Sequence, residues 1–235
     1  MVRAALLLAA LVTGSAAAAE TLTATLIEPT GRYGHNVLDG NEYAAMRVSG
    51  EGVPHVVTLP APRVFEDVEV RTADLTGDGT PELVVVEAGP GAGAEIAIYG
   101  VVEGRVERLT ASPPIGRGFR WRGIAGIADF DGDGRLDIAE VVTPHLAGIL
   151  RFWTLKGGEL VEIADAMPGF SNHRIGQDFI TSRVRLCDGR PVLVLPDLTW
   201  SQVMVVHLSG GEIVSRAIPG RPAQILMDGQ NPCPE

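Results

Sequence analysis

The run Asp129-Phe130-Asp131-Gly132-Asp133-Gly134-Arg135-Leu136-Asp137 sets acids at alternate positions around two glycines. Calcium is a hard cation that takes six to eight oxygen ligands from carboxylates, carbonyls and water. Asp129, Asp131 and Asp133 can turn inward around one such ion, and Gly132 and Gly134 allow the sharp bend that brings them together. Arg135 offers its backbone carbonyl, and Asp137 closes the set. Without a cation, carboxylates this close would repel one another. A second run reads Asp74-Leu75-Thr76-Gly77-Asp78-Gly79-Thr80-Pro81-Glu82. Its candidate ligands are Asp74, the hydroxyl of Thr76, Asp78, the carbonyl of Thr80, and Glu82. With one acid fewer it is the weaker site of the two.

Other chemistries are less well served. The stronger loop, extended to Glu140, also matches the twelve-position loop of an EF-hand. That motif needs a helix on each side, whereas Pro113-Pro114 lies upstream and Thr143-Pro144 precedes a β-like run downstream. His145, His173 and His35 fall in loops that could share a face, with Arg174 beside His173, but no metal-ligand spacing links them. There is no G-x-S-x-G elbow and no phosphate-binding Gly-Lys-Ser/Thr. Trp121, Trp153 and Trp200 read as packing residues rather than as a sugar platform.

The elements that must hold these loops repeat. Asp129 stands 55 positions after Asp74, and the same step from Asp133 reaches Asp188-Gly189-Arg190, a degraded third copy. Gly-rich turns carry Gly52, Gly104, Gly158 and Gly211, spaced by 52, 54 and 53. Short β-branched runs surround them, such as Leu83-Val84-Val85-Val86, Ile138–Val142 and Pro191–Leu195. Glycine turns between such runs are hairpin signals. A period of this size, built from strand, acidic loop, strand and hairpin, fits a propeller blade. The expected fold is all-β, a β-propeller or propeller-like repeat array of about four blades.

The acidic loops and the apolar strand after each resemble the FG-GAP/VCBS repeat family, whose blades are those of integrin-α-like propellers. The resemblance covers roughly residues 60–210; the first repeat, about 21–65, has the turn without the acidic loop. It implies structural calcium sites that hold each blade in shape.

The rest of the chain sets the context. Arg3, an apolar run over residues 4–12 and the small residues up to Ala19 read as a secretory signal peptide at 1–19, leaving one domain with a C-terminal tail over 20–235. That gives an expected periplasmic or secreted location, with no later membrane span. Cys187 and Cys233, in an exported chain, are expected to form a disulfide. A formal net charge of −10 with no basic cluster argues against nucleic acid as a partner. The expectation is a calcium-dependent binding or scaffolding module for a protein or glycan, and not an enzyme. The alternative is a propeller-fold lyase or hydrolase acting on a carbohydrate or phosphoester through His145, His173 and Arg174.

Overall fold

The computed structural model describes residues 22–38, 42–50, 55–218 and Cys233. The expected signal peptide, the tip of the first glycine turn and most of the expected C-terminal tail lie outside these residues. The described residues are all-β, with antiparallel strands and no helix. Strands β1 (Thr23–Thr30), β2 (Glu42–Ser49) and β3 (His55–Thr58) form a first unit. Three four-stranded meanders follow. The first has β5 (Arg71–Ala73), β6 (Glu82–Gly89), β7 (Gly93–Val102) and β8 (Arg105–Ala111). The next has β9 (Arg122–Ala128), β10 (Asp137–Val142), β11 (Ile149–Lys156) and β12 (Glu159–Glu162). The last has β13 (Arg183–Cys187), β14 (Arg190–Pro196), β15 (Val203–Ser209) and β16 (Glu212–Ile218).

Two of these units are fused. The short β4 (Val64–Phe65) pairs with β2 through Tyr43 on one side and with β6 through Ala88 and Glu87 on the other. The first two units therefore make one eight-stranded sheet, beside two four-stranded sheets, and the sheets do not close. The arrangement is a propeller-like repeat array.

The expected hairpin turns are present. Glu103-Gly104, Gly157-Gly158 and Gly210-Gly211 join the third and fourth strands of the three meanders, and each residue has a positive φ. Two left-handed residues in a row match the twist of the flanking strands, which explains the glycines. Asp188-Gly189 has the same signature, so the degraded third loop is a two-residue hairpin between β13 and β14.

Alternation along the inner strands stacks one sheet on the next. Leu83 and Val85 of β6 pack towards Met46 of β2, while Val84 and Val86 join Ile124, Ile138 and Trp153 of the following unit. Ala139, Val141 and Phe152 on the other face of that unit meet Leu193, Leu195 and Val206 of the last. β6 and β10 are buried along their whole length. Gly126 lets β9 and β13 come close, since a Cβ there would sit 2.5 Å from Val184 Cγ2. Cys187 is bonded to Cys233, which packs with Val192 and Val194 against the outer face of the last sheet. The segment after β1 is tied to the β12–β13 connection by a parallel bridge, Leu38 to Gln177, and by the Gly176 N–H donated to the Val37 carbonyl at 3.0 Å.

Candidate functional site

The stronger acidic loop joins β9 to β10. Gly132 and Gly134 take φ values of +80° and +90°, and the chain turns back on itself there. Asp129 accepts the N–H groups of Gly132 at 2.8 Å and Gly134 at 3.0 Å, one on each carboxylate oxygen. Asp137, fully buried at the start of β10, accepts the Phe130 N–H at 2.9 Å on Oδ2. One ligand oxygen from each of Asp129, Asp131 and Asp137 lies within 4.8 Å of the other two. Oδ1 of Asp137 is buried, with the buried Thr154 hydroxyl opposite it in the ladder as its polar neighbour. Burial pushes the Asp137 carboxyl up to about 6 against the Phe130 N–H, and the charge of Asp131 adds to the rise. Three carboxylates crowded this closely fit a hard divalent cation. Asp133 is not in this trio; it accepts the Arg135 N–H at 2.9 Å and pairs with the Arg135 guanidinium.

The second loop, between β5 and β6, has the same backbone but a different use of its acids. Asp74 accepts Gly77 N–H at 2.7 Å and Gly79 N–H at 3.0 Å, as Asp129 does in its own loop. Asp78 accepts the Thr80 N–H at 2.7 Å. Glu82 takes the N–H groups of Leu75 and Thr76 and the Thr76 hydroxyl at 2.8, 3.2 and 3.2 Å. The hydroxyl expected to face a metal thus donates to Glu82. Among the described residues, the acids of this loop do not form a trio like that of Asp129, Asp131 and Asp137.

The EF-hand reading fails on Glu140. Its side chain is fully buried in β10, 3.1 Å from the Arg122 guanidinium and 2.8 Å from Trp153 Nε1, and strands rather than helices flank the loop.

The loop histidines do converge. His145 Nε2 lies 2.9 Å from His173 Nδ1, and His173 Nε2 lies 2.9 Å from the Gln177 carbonyl oxygen. Trp121 stacks on His145 at 6.0 Å and meets the edge of His173 at 4.7 Å. His35 Nδ1 lies 2.7 Å from Glu66 Oε1, and a cavity of about 180 Å³ separates His35 from His145. Arg174 instead lies over the Trp200 ring at 4.3 Å. Glu66, Tyr33 and Phe119 were not legible as partners of these histidines. Glu66 sits 31 positions from His35, in a segment whose place is set by the two-residue β4.

Burial pushes Glu66 up to about 7, against its hydrogen bond and charge interaction with His35; Glu42 and Asp67 add to the rise. Burial pushes His145 down to about 4, with His173 and His35 nearby acting the same way. The two slopes oppose each other. Glu66 adds stability that is complete below its ordinary value near 4.5 and is lost as pH rises towards 7. His145 adds stability that is lost as pH falls from 6.5 through 4. Urea unfolding of the wild type, Glu66→Gln and His145→Gln between those limits separates the two. The gap to Glu66→Gln should move in favour of the wild type as pH falls, and the gap to His145→Gln should move against it. Parallel stability curves for all three would contradict both assignments.

The family profile of the FG-GAP-like repeat matches residues 74–139. That span opens on Asp74 of one acidic loop and ends just past Asp137 of the other. The chain therefore carries an FG-GAP-like repeat within a propeller-like all-β array. No curated protein matches the chain.

Proposed function

We propose that this is an exported, calcium-stabilised repeat module that binds a protein or glycan partner through its loops and does no chemistry on it. The observation that carries this reading is the trio Asp129, Asp131 and Asp137 inside the FG-GAP-like repeat. A bound calcium would neutralise three carboxylates at once and fix the β9–β10 connection, with the Arg135 carbonyl as a further oxygen. The weaker loop, whose acids are satisfied by its own N–H groups and hydroxyl, would hold its shape without an ion or bind one with lower affinity. The Cys187–Cys233 bond and the signal-like N-terminus support export to an oxidising compartment. The alternative of a lyase or hydrolase is less well supported. Burial disfavours the charged forms of His145 and His173, and Arg174 is engaged with Trp200.

Metal analysis after equilibrium dialysis tests the central claim. The chain from Glu20 onward should retain close to one calcium per molecule at micromolar free calcium, and Asp131→Ala should retain none. Dialysed protein free of calcium under these conditions would overturn the reading.

A further inference from the structure

The His145–His173 pair has a defined proton order. A carbonyl oxygen only accepts, so the proton of His173 sits on Nε2, facing Gln177. A neutral imidazole carries one N–H, which makes Nδ1 of His173 an acceptor. Nε2 of His145, 2.9 Å away, must then donate. With its proton on Nε2, His145 keeps Nδ1 as its acceptor nitrogen. Both rings are kept neutral chiefly by burial.

This ring lines the cavity of about 180 Å³, together with Trp121, Phe119, Thr143, Ile175, His35 and Arg120, whose guanidinium donates to the Phe119 carbonyl at 2.7 Å. The walls are strained where they meet the cavity. Phe119 and Thr143 have φ values of +53° and +48°, a region that bulky and β-branched residues avoid. Phe119 is held there by stacking on Tyr33 at 5.1 Å and by donating its N–H to the Tyr33 hydroxyl at 2.6 Å. Such strain gathers at sites that bind. The mouth is apolar and open to solvent, with Phe119 48%, Leu146 58% and Ile175 68% exposed.

We propose that this cavity binds a phenol ring, its flat face against the aromatic walls and its hydroxyl donating to Nδ1 of His145. The size is right for one ring, since an apolar cavity of about 150 Å³ accommodates benzene. The acceptor nitrogen, set beside the Trp121 ring, favours a flat ring that carries a donor. The site is independent of whether the acidic loop holds calcium. A free phenol and a tyrosyl side chain share this chemistry.

The test uses the chain with ¹⁵N-labelled imidazoles, titrated with p-cresol, toluene and N-acetyl-tyrosinamide. Two-bond ¹H–¹⁵N correlation should place the proton of His145 on Nε2, and p-cresol should shift its Nδ1. One net hydrogen bond predicts p-cresol binding about threefold to tenfold tighter than toluene. In His145→Leu the two should bind alike. Leu146→Asp, at an exposed rim position that does not put the fold at risk, should weaken both. Binding of N-acetyl-tyrosinamide as well as p-cresol assigns the site to a tyrosyl side chain, and binding of p-cresol alone assigns it to a small phenol. A proton on Nδ1 of His145, equal binding of p-cresol and toluene to the wild type, or no shift at millimolar ligand would overturn the proposal.

Discussion

Arg122→Leu is expected to destabilise the fold by about 3–5 kcal/mol, the cost of leaving a buried charge without its partner. The Arg122 side chain is 4% exposed and that of Glu140 is 0%. The guanidinium donates to Glu140 at 3.1 Å, to the Ser112 hydroxyl at 2.8 Å and to the Pro113 carbonyl at 3.0 Å. It thus joins the segment after β8 to the core of the next sheet. Trp153 Nε1 adds a second donor to the same Glu140 oxygen at 2.8 Å. Even so, Glu140 Oε2 and Arg122 Nε are buried without partners, so the pair is incompletely satisfied. Buried pairs of this kind are often no more stable than apolar residues of similar volume. The double variant Arg122→Leu with Glu140→Leu should therefore recover most of the loss, less about 1 kcal/mol for the stranded Trp153 N–H. Urea unfolding at pH 7 of the wild type, both single variants and the double variant measures the coupling. A double variant as unstable as the sum of the singles would show that the two side chains act separately.

The parts of the fold that were legible in the sequence follow from local rules. Gly104, Gly158 and Gly211 announced turns because two successive left-handed residues nearly demand glycine. The acidic loops were visible because an inward turn of alternate side chains has few other uses. The four-fold count was visible too, but not the way the first two units merge. That merger rests on Val64 and Phe65, a strand too short to show a period. Glu140 was misleading for a related reason. Its spacing from Asp129 suits an EF-hand, yet in β10 it faces Arg122 and Trp153, and only the tertiary setting decides this. In the stronger loop, Asp133 pairs with the Arg135 guanidinium, a contact that loop spacing does not record. His145 and His173 were recognisable as loop histidines on one face. Their hydrogen bond and the link from His35 to Glu66 join residues 28 and 31 positions apart, and the bridge between Leu38 and Gln177 ties the segment after β1 to the one that carries His173.

Saturating calcium is expected to raise the unfolding midpoint by about 5–10 °C over the chelated protein. The estimate combines about 2.7 kcal/mol for a ligand at a hundred times its dissociation constant with about 2–4 °C per kcal/mol for a domain of this size. Magnesium should give a smaller shift, because it demands a compact octahedral shell and sheds its water reluctantly. The loop variants should then behave differently from one another. Asp131 is exposed, and its carboxylate accepts one N–H, that of Asp133 at 3.0 Å. Asp131→Ala should lose the calcium response while leaving the chelated midpoint unchanged or slightly higher, since it relieves repulsion with Asp129 and Asp137. Asp137→Ala should lose the response and lower the chelated midpoint too, because the Phe130 N–H loses its buried acceptor. Asp78→Ala should keep the response, since the carboxylate trio lies entirely in the other loop. A response that survives Asp131→Ala but disappears in Asp78→Ala would place the stabilising ion in the loop between β5 and β6. The order of the two sites argued from carboxylate geometry would then be reversed.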